Sequence, residues 1–444
     1  MNLNPFRFWN RKILFLGLFL SLSLVGASPL GAQTAGFAYV ANSSAGAIGS
    51  VSAYTINATT GALTPVPGSP FAAGSEPFSV AVSPNGQFAY VANAASTSND
   101  VSAYTINATT GALTPIPGSP FAAGSLPVSV AVSPNGQFAY VANSFSDDVS
   151  AYTINATTGA LTPVPGSPFA EPSDPRSVAV SPNSQFAYVT NQGGNVSAYT
   201  INATTGALTP VPGSPFAAGG APVSVTVHPS GQFAYVANQV SNDVSAYTIN
   251  ATTGALTPVP GSPFAAGSVA NSVAVTANGQ FAYVANAGSF NVSAYSINAT
   301  TGALTPVPGS PFTTGFQPES VAVSANGQFA YVANQVSNDV SAYTINATTG
   351  VLTPVPGSPF AAGAFPVSVT TTAPVSSCKH DDEERDRDER GDGDEHSKGH
   401  ERGEGHEQGD DGHKGHKKHG CHHSGEMDFG EHDNHKMHES ERDR

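Results

Sequence analysis

Residues 88–121 read FAYVANAASTSNDVSAYTINATTGALTPIPGSPF, and close copies of this stretch occupy most of the chain. Its opening hexapeptide recurs at Phe37, Phe88, Phe138, Phe186, Phe233, Phe281 and Phe329, with FAYVTN in the copy at Phe186. The seven starts lie 51, 50, 48, 47, 48 and 48 residues apart. A near-constant period of this length marks a unit that stacks on copies of itself. A second signature, Ser-Val-(Ala/Thr)-Val or a close variant, also occurs seven times, at Ser79, Ser129, Ser177, Ser224, Ser272, Ser320 and Ser368.

Within one copy, four runs are rich in β-branched and aromatic residues and are bounded by Gly, Pro, Asn and Ser, the pattern of short strands. Strand a is Ser79 to Ser83, strand b Phe88 to Ala92, strand c Val101 to Ile106, and strand d lies around Ala112 to Pro117. The a–b turn, Ser83-Pro84-Asn85-Gly86, places Pro where φ near −65° is wanted and Gly where φ is positive. The c–d turn, Asn107-Ala108-Thr109-Thr110-Gly111, offers an Asn side chain to its own backbone. Pro115 and Pro117 are expected to strip ladder donors from one side of strand d and so protect an exposed edge.

A four-stranded antiparallel sheet cannot bury both faces alone, so it packs on its neighbours, in a line or in a ring. The first copy begins directly at strand b, and the last ends with a lone strand a, residues 367–371. The orphan strand completes the sheet that opens the chain, which closes a ring. The expected fold is therefore all-β: a seven-bladed β-propeller over residues 37–373. A linear stack would need atypical polar caps, and the sequence has none.

Charge is unevenly placed. Residues 378–444 hold 12 of the 16 Lys+Arg, 22 of the 31 Asp+Glu, 12 of the 13 His and both Cys. The repeats keep nine acids, Arg176 and His228, with no Lys, which leaves no electrostatic footprint for nucleic acid. Residues 1–32 read as a secretory signal: Arg7, Arg11 and Lys12 precede an apolar run from Ile13 to Ala27, with cleavage expected near residue 27 or 32. That run is shorter than the roughly 20 residues that span a bilayer as a helix. The mature chain is expected to be secreted, extracellular or periplasmic, not transmembrane, and monomeric.

Residues 378–444 lack apolar periodicity and are expected to be disordered. His413, His416, His419, His422, His423, His432, His435 and His438 stand among carboxylates, a composition that suits divalent Zn, Ni or Cu held loosely. Cys378 and Cys421 are a candidate pair after export. The seven Asn-Ala-Thr triplets, from Asn57 to Asn346, match glycosylation sequons, but each is also the residue the c–d turn needs.

The unit SVAVSPNGQFAYVAN…VSAYTINATTGALTPVPGSPF resembles the seven-bladed lactonase family, which includes 6-phosphogluconolactonases, and the wider YVTN-type propellers of secreted proteins. Tyr188-Val189-Thr190-Asn191 matches the YVTN motif literally, and Asn-Ala-Thr-Thr-Gly resembles that family's Asp-x-x-Thr-Gly turn. The resemblance covers residues 37–373. It implies a ligand site at one mouth of the central channel, lined in that family by His, Arg and Glu. No such set transfers position by position, and His228 falls in an a–b turn, on the opposite face.

The a–b and c–d turns barely vary between copies, whereas the b–c loops and the links between blades do, which places a candidate binding surface on that rim. The residue just before each strand a should ring the channel mouth: Phe78, Val128, Arg176, Val223, Asn271, Glu319 and Val367. One reading is a small, partly apolar pocket with Phe78, Arg176, Asn271 and Glu319 as ligand contacts; the other is ordinary variation at a loop edge. A body this poor in catalytic residue types is expected to be mainly a binding or scaffold protein that requires no cofactor. The alternative is a lactone hydrolase using Glu319 and Arg176, with an uncharged substrate, because one Arg and no Lys is thin provision for a phosphate.

Overall fold

The computed structural model describes residues 34–43, 48–95 and 98–373. The expected signal segment and the candidate pair Cys378 and Cys421 lie outside the described residues. So do all the candidate metal ligands of the tail: His413, His416, His419, His422, His423, His432, His435 and His438.

Seven sheets follow one plan, and blades are numbered here by their strand b, from Phe37 (first) to Phe329 (seventh). In the third blade, strand a is Pro127–Val132, b is Phe138–Asn143, c is Asp148–Ile154 and d is Leu161–Pro163. They pair antiparallel in the order a-b-c-d. The first blade takes strand a from the other end of the chain: Pro366–Thr371 pairs with Thr34–Asn42, with Val369 opposite Val40. The ring is closed as the chain ends predict.

The outermost position differs from the expectation of one continuous strand. Leu161–Pro163 pairs with one end of strand c, and a separate two-residue strand, Phe169–Ala170, pairs with the other, opposite Asp148 and Val149. Between them the chain leaves the edge through Pro-Gly-Ser-Pro, with a cis bond at Ser167-Pro168. The bonding potential of central Ala151 is met in another way: its N–H donates to Ser167 Oγ (2.9 Å), and its carbonyl accepts the Val164 N–H (2.9 Å). Only the first proline of each pair therefore sits in the strand, as Pro163 does opposite Tyr152, and the second lies in the turn. The edge is blunted by interruption rather than by two missing donors on one side.

Strand b is buried along its whole length because it lies between strands a and c and between two neighbouring blades. Phe37, Tyr39 and Ala41 pack toward the second blade, whereas Ala38 and Val40 pack toward the seventh. Both faces are apolar, so the alternation is invisible as a hydrophobic–polar pattern.

Side-chain hydrogen bonds run around the ring at three radii. Nearest the channel, each serine of the Ser-Val signature accepts the free-edge N–H of the next blade's strand a, as Ser224 Oγ does from Val273 (3.2 Å). The seventh blade's Ser320 accepts from Val369, so this circle also closes. Farther out, each strand-b tyrosine donates to the c–d turn glycine of the next blade; Tyr235 reaches Gly302 O at 3.0 Å, and Tyr331 returns to Gly61. Each strand-c tyrosine donates to the short outer strand of the preceding blade, as Tyr152 does to Ala122 O. All fourteen tyrosines of the chain are used in this way.

The turn chemistry is as expected. Asn107 Oδ1 accepts from Thr109 and Thr110 N–H (3.0 and 2.9 Å). Gly111 has φ +76°, and a Cβ there would lie 2.4 Å from the Phe37 ring, so the position needs glycine twice over.

Candidate functional site

The link into each strand a turns sharply before it reaches the channel. The residue preceding the strand is left-handed in all seven blades although none is glycine: Glu76, Leu126, Asp174, Ala221, Val269, Gln317 and Phe365 have φ between 45° and 58°. Such a conformation is disfavoured for ordinary side chains, most of all for β-branched Val269. In several links a b–c loop side-chain oxygen holds it: Val269 N–H donates to Asn242 Oδ1 (2.7 Å), Asp174 N–H to Asp147 Oδ1 (2.6 Å) and Phe365 N–H to Asn338 Oδ1 (2.7 Å). Two residues on, the chain delivers one side chain per blade to the mouth.

Those side chains are Phe78, Val128, Arg176, Val223, Asn271, Glu319 and Val367, and all seven line a single cavity of about 300 Å³. The serine circle lies against the same cavity, and Gln192 and Gln239 reach it from the b–c loops. The sequence-based ring is thus brought together in space.

Glu319 is the most perturbed group there. Burial raises its carboxyl to about 7, opposed by a hydrogen bond from Asn271. Asn271 Nδ2 donates to Glu319 Oε2, and Gln239 Nε2 donates to Asn271 Oδ1 at 2.7 Å. The three groups form a chain across three adjacent blades that fixes which way the carboxylate points. A carboxyl that titrates near neutrality can both take and return a proton at physiological pH.

Arg176 lies three blades away around the ring. Its Nε is 3.0 Å from Asp174 Oδ1, and its Nη2 donates to Gln192 Oε1 (2.7 Å) and Asp174 Oδ2 (3.3 Å). Asp174 therefore offsets much of its charge. Gln192, Gln239 and Asp174 were not singled out from sequence. The available signal was that Gln follows the strand-b Asn in three copies where the others carry Ser or Ala.

His228 lies in the a–b turn of the fifth blade, on the opposite rim, as expected. It is buried, its Nδ1 accepts the Ser230 N–H (3.1 Å), and its Nε2 therefore donates to Gly279 O of the next blade (2.9 Å). Ser230 stands where other turns carry Asn, so the two exchanges form a matched pair that ties adjacent blades.

A family model described as lactonase, 7-bladed β-propeller, matches residues 37–369. The chain belongs to this lactonase family. Among solved structures it is similar to a putative 6-phosphogluconolactonase from Bacteroides uniformis, at 20% identity and a TM-score of 0.67, over 77% of this chain and 100% of that one. It is also similar to the periplasmic gluconolactonase of Pseudomonas aeruginosa, at 19% identity and a TM-score of 0.65, over 76% of this chain and 99% of that one. Identities this low speak for the fold. Comparison with curated protein sequences finds no match. Membership of the family favours the hydrolase alternative over the scaffold reading.

Proposed function

We propose that the protein hydrolyses uncharged lactones at the channel mouth, with Glu319 as general base and acid. The observation that carries this reading is a buried carboxyl at about 7, oriented by Asn271, in a cavity of about 300 Å³. Glu319 takes a proton from a water molecule as the water oxygen bonds to the lactone carbonyl carbon. The resulting oxyanion collapses, the ring C–O bond breaks, and the proton passes from Glu319 to the departing alkoxide. One water is added and no cofactor is consumed. Arg176, the cation that lines the same cavity, is the donor proposed for the oxyanion.

The substrate class follows from charge. Arg176 is the only Lys or Arg in the repeats, and Asp174 and Gln192 already engage it. A phosphate would ask for several such donors. A panel of neutral and phosphorylated lactones tests both points. Neutral lactones should be turned over, and Glu319→Gln should lower kcat/KM by about 10²–10⁴-fold. No turnover on any lactone, or full activity in Glu319→Gln, overturns the proposal.

A second reading, a binding role for the variable rim, is favoured by apolar side chains exposed there, with Phe145 at 79%, Val240 at 70% and Phe316 at 59%. If it holds, Phe145→Glu with Val240→Glu abolishes capture of a partner and leaves lactone turnover intact; loss of both, or of neither, counts against it. We further propose that the chain is exported and that its histidine-rich tail, from His413 to His438, binds divalent transition ions. Calorimetric titration of zinc or nickel should show binding to the full chain that disappears on truncation after residue 377. Equal binding by both forms removes the tail assignment.

A further inference from the structure

The link between the third and fourth blades breaks a rule that the other six keep. Two positions after the Phe that opens the short outer strand, the other blades carry a small residue, Ala73, Ala123, Ala218, Ala266, Thr314 or Ala362; here it is Glu171. The backbone is placed alike, since Glu171 N–H donates to Asp147 O (2.9 Å) as Ala123 N–H does to Asn99 O (3.0 Å). A carboxylate thus occupies a niche where Ala123 packs a methyl against the inter-blade core.

Glu171 is 8% exposed, and among the described residues neither carboxylate oxygen has a hydrogen bond of acceptable geometry. Ser197, Tyr199 and Asn191, all from the fourth blade, lie close enough for their donors to favour its charged form without meeting that geometry, whereas burial and the Asp148 charge of the third blade oppose it. The Asn191 side-chain carbonyl is also buried and unpartnered, as are the equivalent carbonyls of Asn42, Asn93, Asn143, Asn238 and Asn334, while its amide nitrogen donates to Asn195 and Ser197. Pro172 replaces the glycine whose N–H, as Gly124, donates to the strand-c serine, so Ser197 loses a donor it would otherwise have. Arg176 does not compensate, being held by Asp174 and Gln192. A buried carboxylate without a well-formed hydrogen bond is costly, and the two departures from the sister links, Glu171 and Pro172, are adjacent in the chain.

We propose that this junction is a binding site for a hard, oxygen-ligated cation, with calcium the best chemical fit. Glu171 supplies the carboxylate, and the Asn191 carbonyl and the Ser197 and Tyr199 hydroxyls supply neutral oxygens. This set holds no imidazole or thiolate, which disfavours zinc and copper, and an irregular all-oxygen set suits calcium better than magnesium. Among the described residues no group of three or more Asp, Glu, His or Cys could hold a metal. So low a charge count places the affinity in the weak range of extracellular modules, about 0.1–1 mM. The bound ion would lock the third blade to the fourth, beside the link that positions Arg176.

The test uses the full chain after chelation and dialysis. Calcium at about ten times Kd should raise Tm by about 2 °C. The rise should vanish in Glu171→Ala, which installs the residue that sister links carry, and in Glu171→Gln, which keeps the volume. Terbium substituted for calcium gives a direct readout: excitation of Tyr199 should sensitise its emission, and calcium should displace it. Residues 378–444 contain no tyrosine, so ion held by the tail lacks that donor in its own segment. No rise with calcium, or the same rise and emission in Glu171→Ala, overturns the proposal and leaves Glu171 as a protonated acid donating to the Asn191 carbonyl.

Discussion

Glu319 and Glu171 have the same side chain and nearly the same raised pKa, yet their surroundings assign them different work. Glu319 faces a cavity and receives a hydrogen bond that favours its charged form. In Asn271→Leu that stabilisation is lost, so the carboxyl should titrate above its present value of about 7. The base is active when ionised, so the acidic limb of the kcat/KM profile should move to higher pH and activity at pH 7 should fall. A pH–rate profile on a neutral lactone measures this, and an unmoved limb would separate Asn271 from the function of Glu319. The ring of seven mouth residues was legible in sequence because each sits at one fixed offset from a repeated signature. Gln239 and Asp174 were not, because they belong to loops and links whose lengths and residues differ from blade to blade.

At the scale of the element, the hydrogen bonds that join blades are what the repeats preserve. In Tyr235→Phe the Gly302 carbonyl loses its partner inside the sheet stack. The expected cost is about 1 kcal/mol, read as a lower denaturant midpoint with an unchanged slope. A slope that changed would mean that the native or unfolded ensemble, and not one bond, had been altered. The strands themselves were readable from β-branched and aromatic runs. The break in the outermost strand was not, since it depends on Ser167 reaching the Ala151 amide, a contact sixteen residues away in sequence.

For the whole molecule, closure rests on one strand. Pro366–Thr371 supplies the ladder partner of the first blade, the partner for Ser320 and, through the adjoining Thr372, bonds to Phe37 in both directions. Truncation after Phe365 should therefore abolish a single cooperative unfolding transition, whereas truncation after Ala373 should leave Tm unchanged. Calorimetry on the two shortened chains checks both; cooperative melting of the shorter one would mean that six blades and three strands suffice.

The sequence by itself determined the number of blades, the order of strands, the way the ring closes and the side chain each blade presents at the mouth. These follow from period, offset and turn chemistry, which are local properties repeated seven times. Only the tertiary structure decided which of those side chains act together. Glu319 is tuned by residues from two other blades, and Glu171 is buried against side chains of the next blade that its neighbours in sequence do not reveal. Burial and hydrogen-bond partnership arise between blades, so no single repeat, however faithfully copied, contains them.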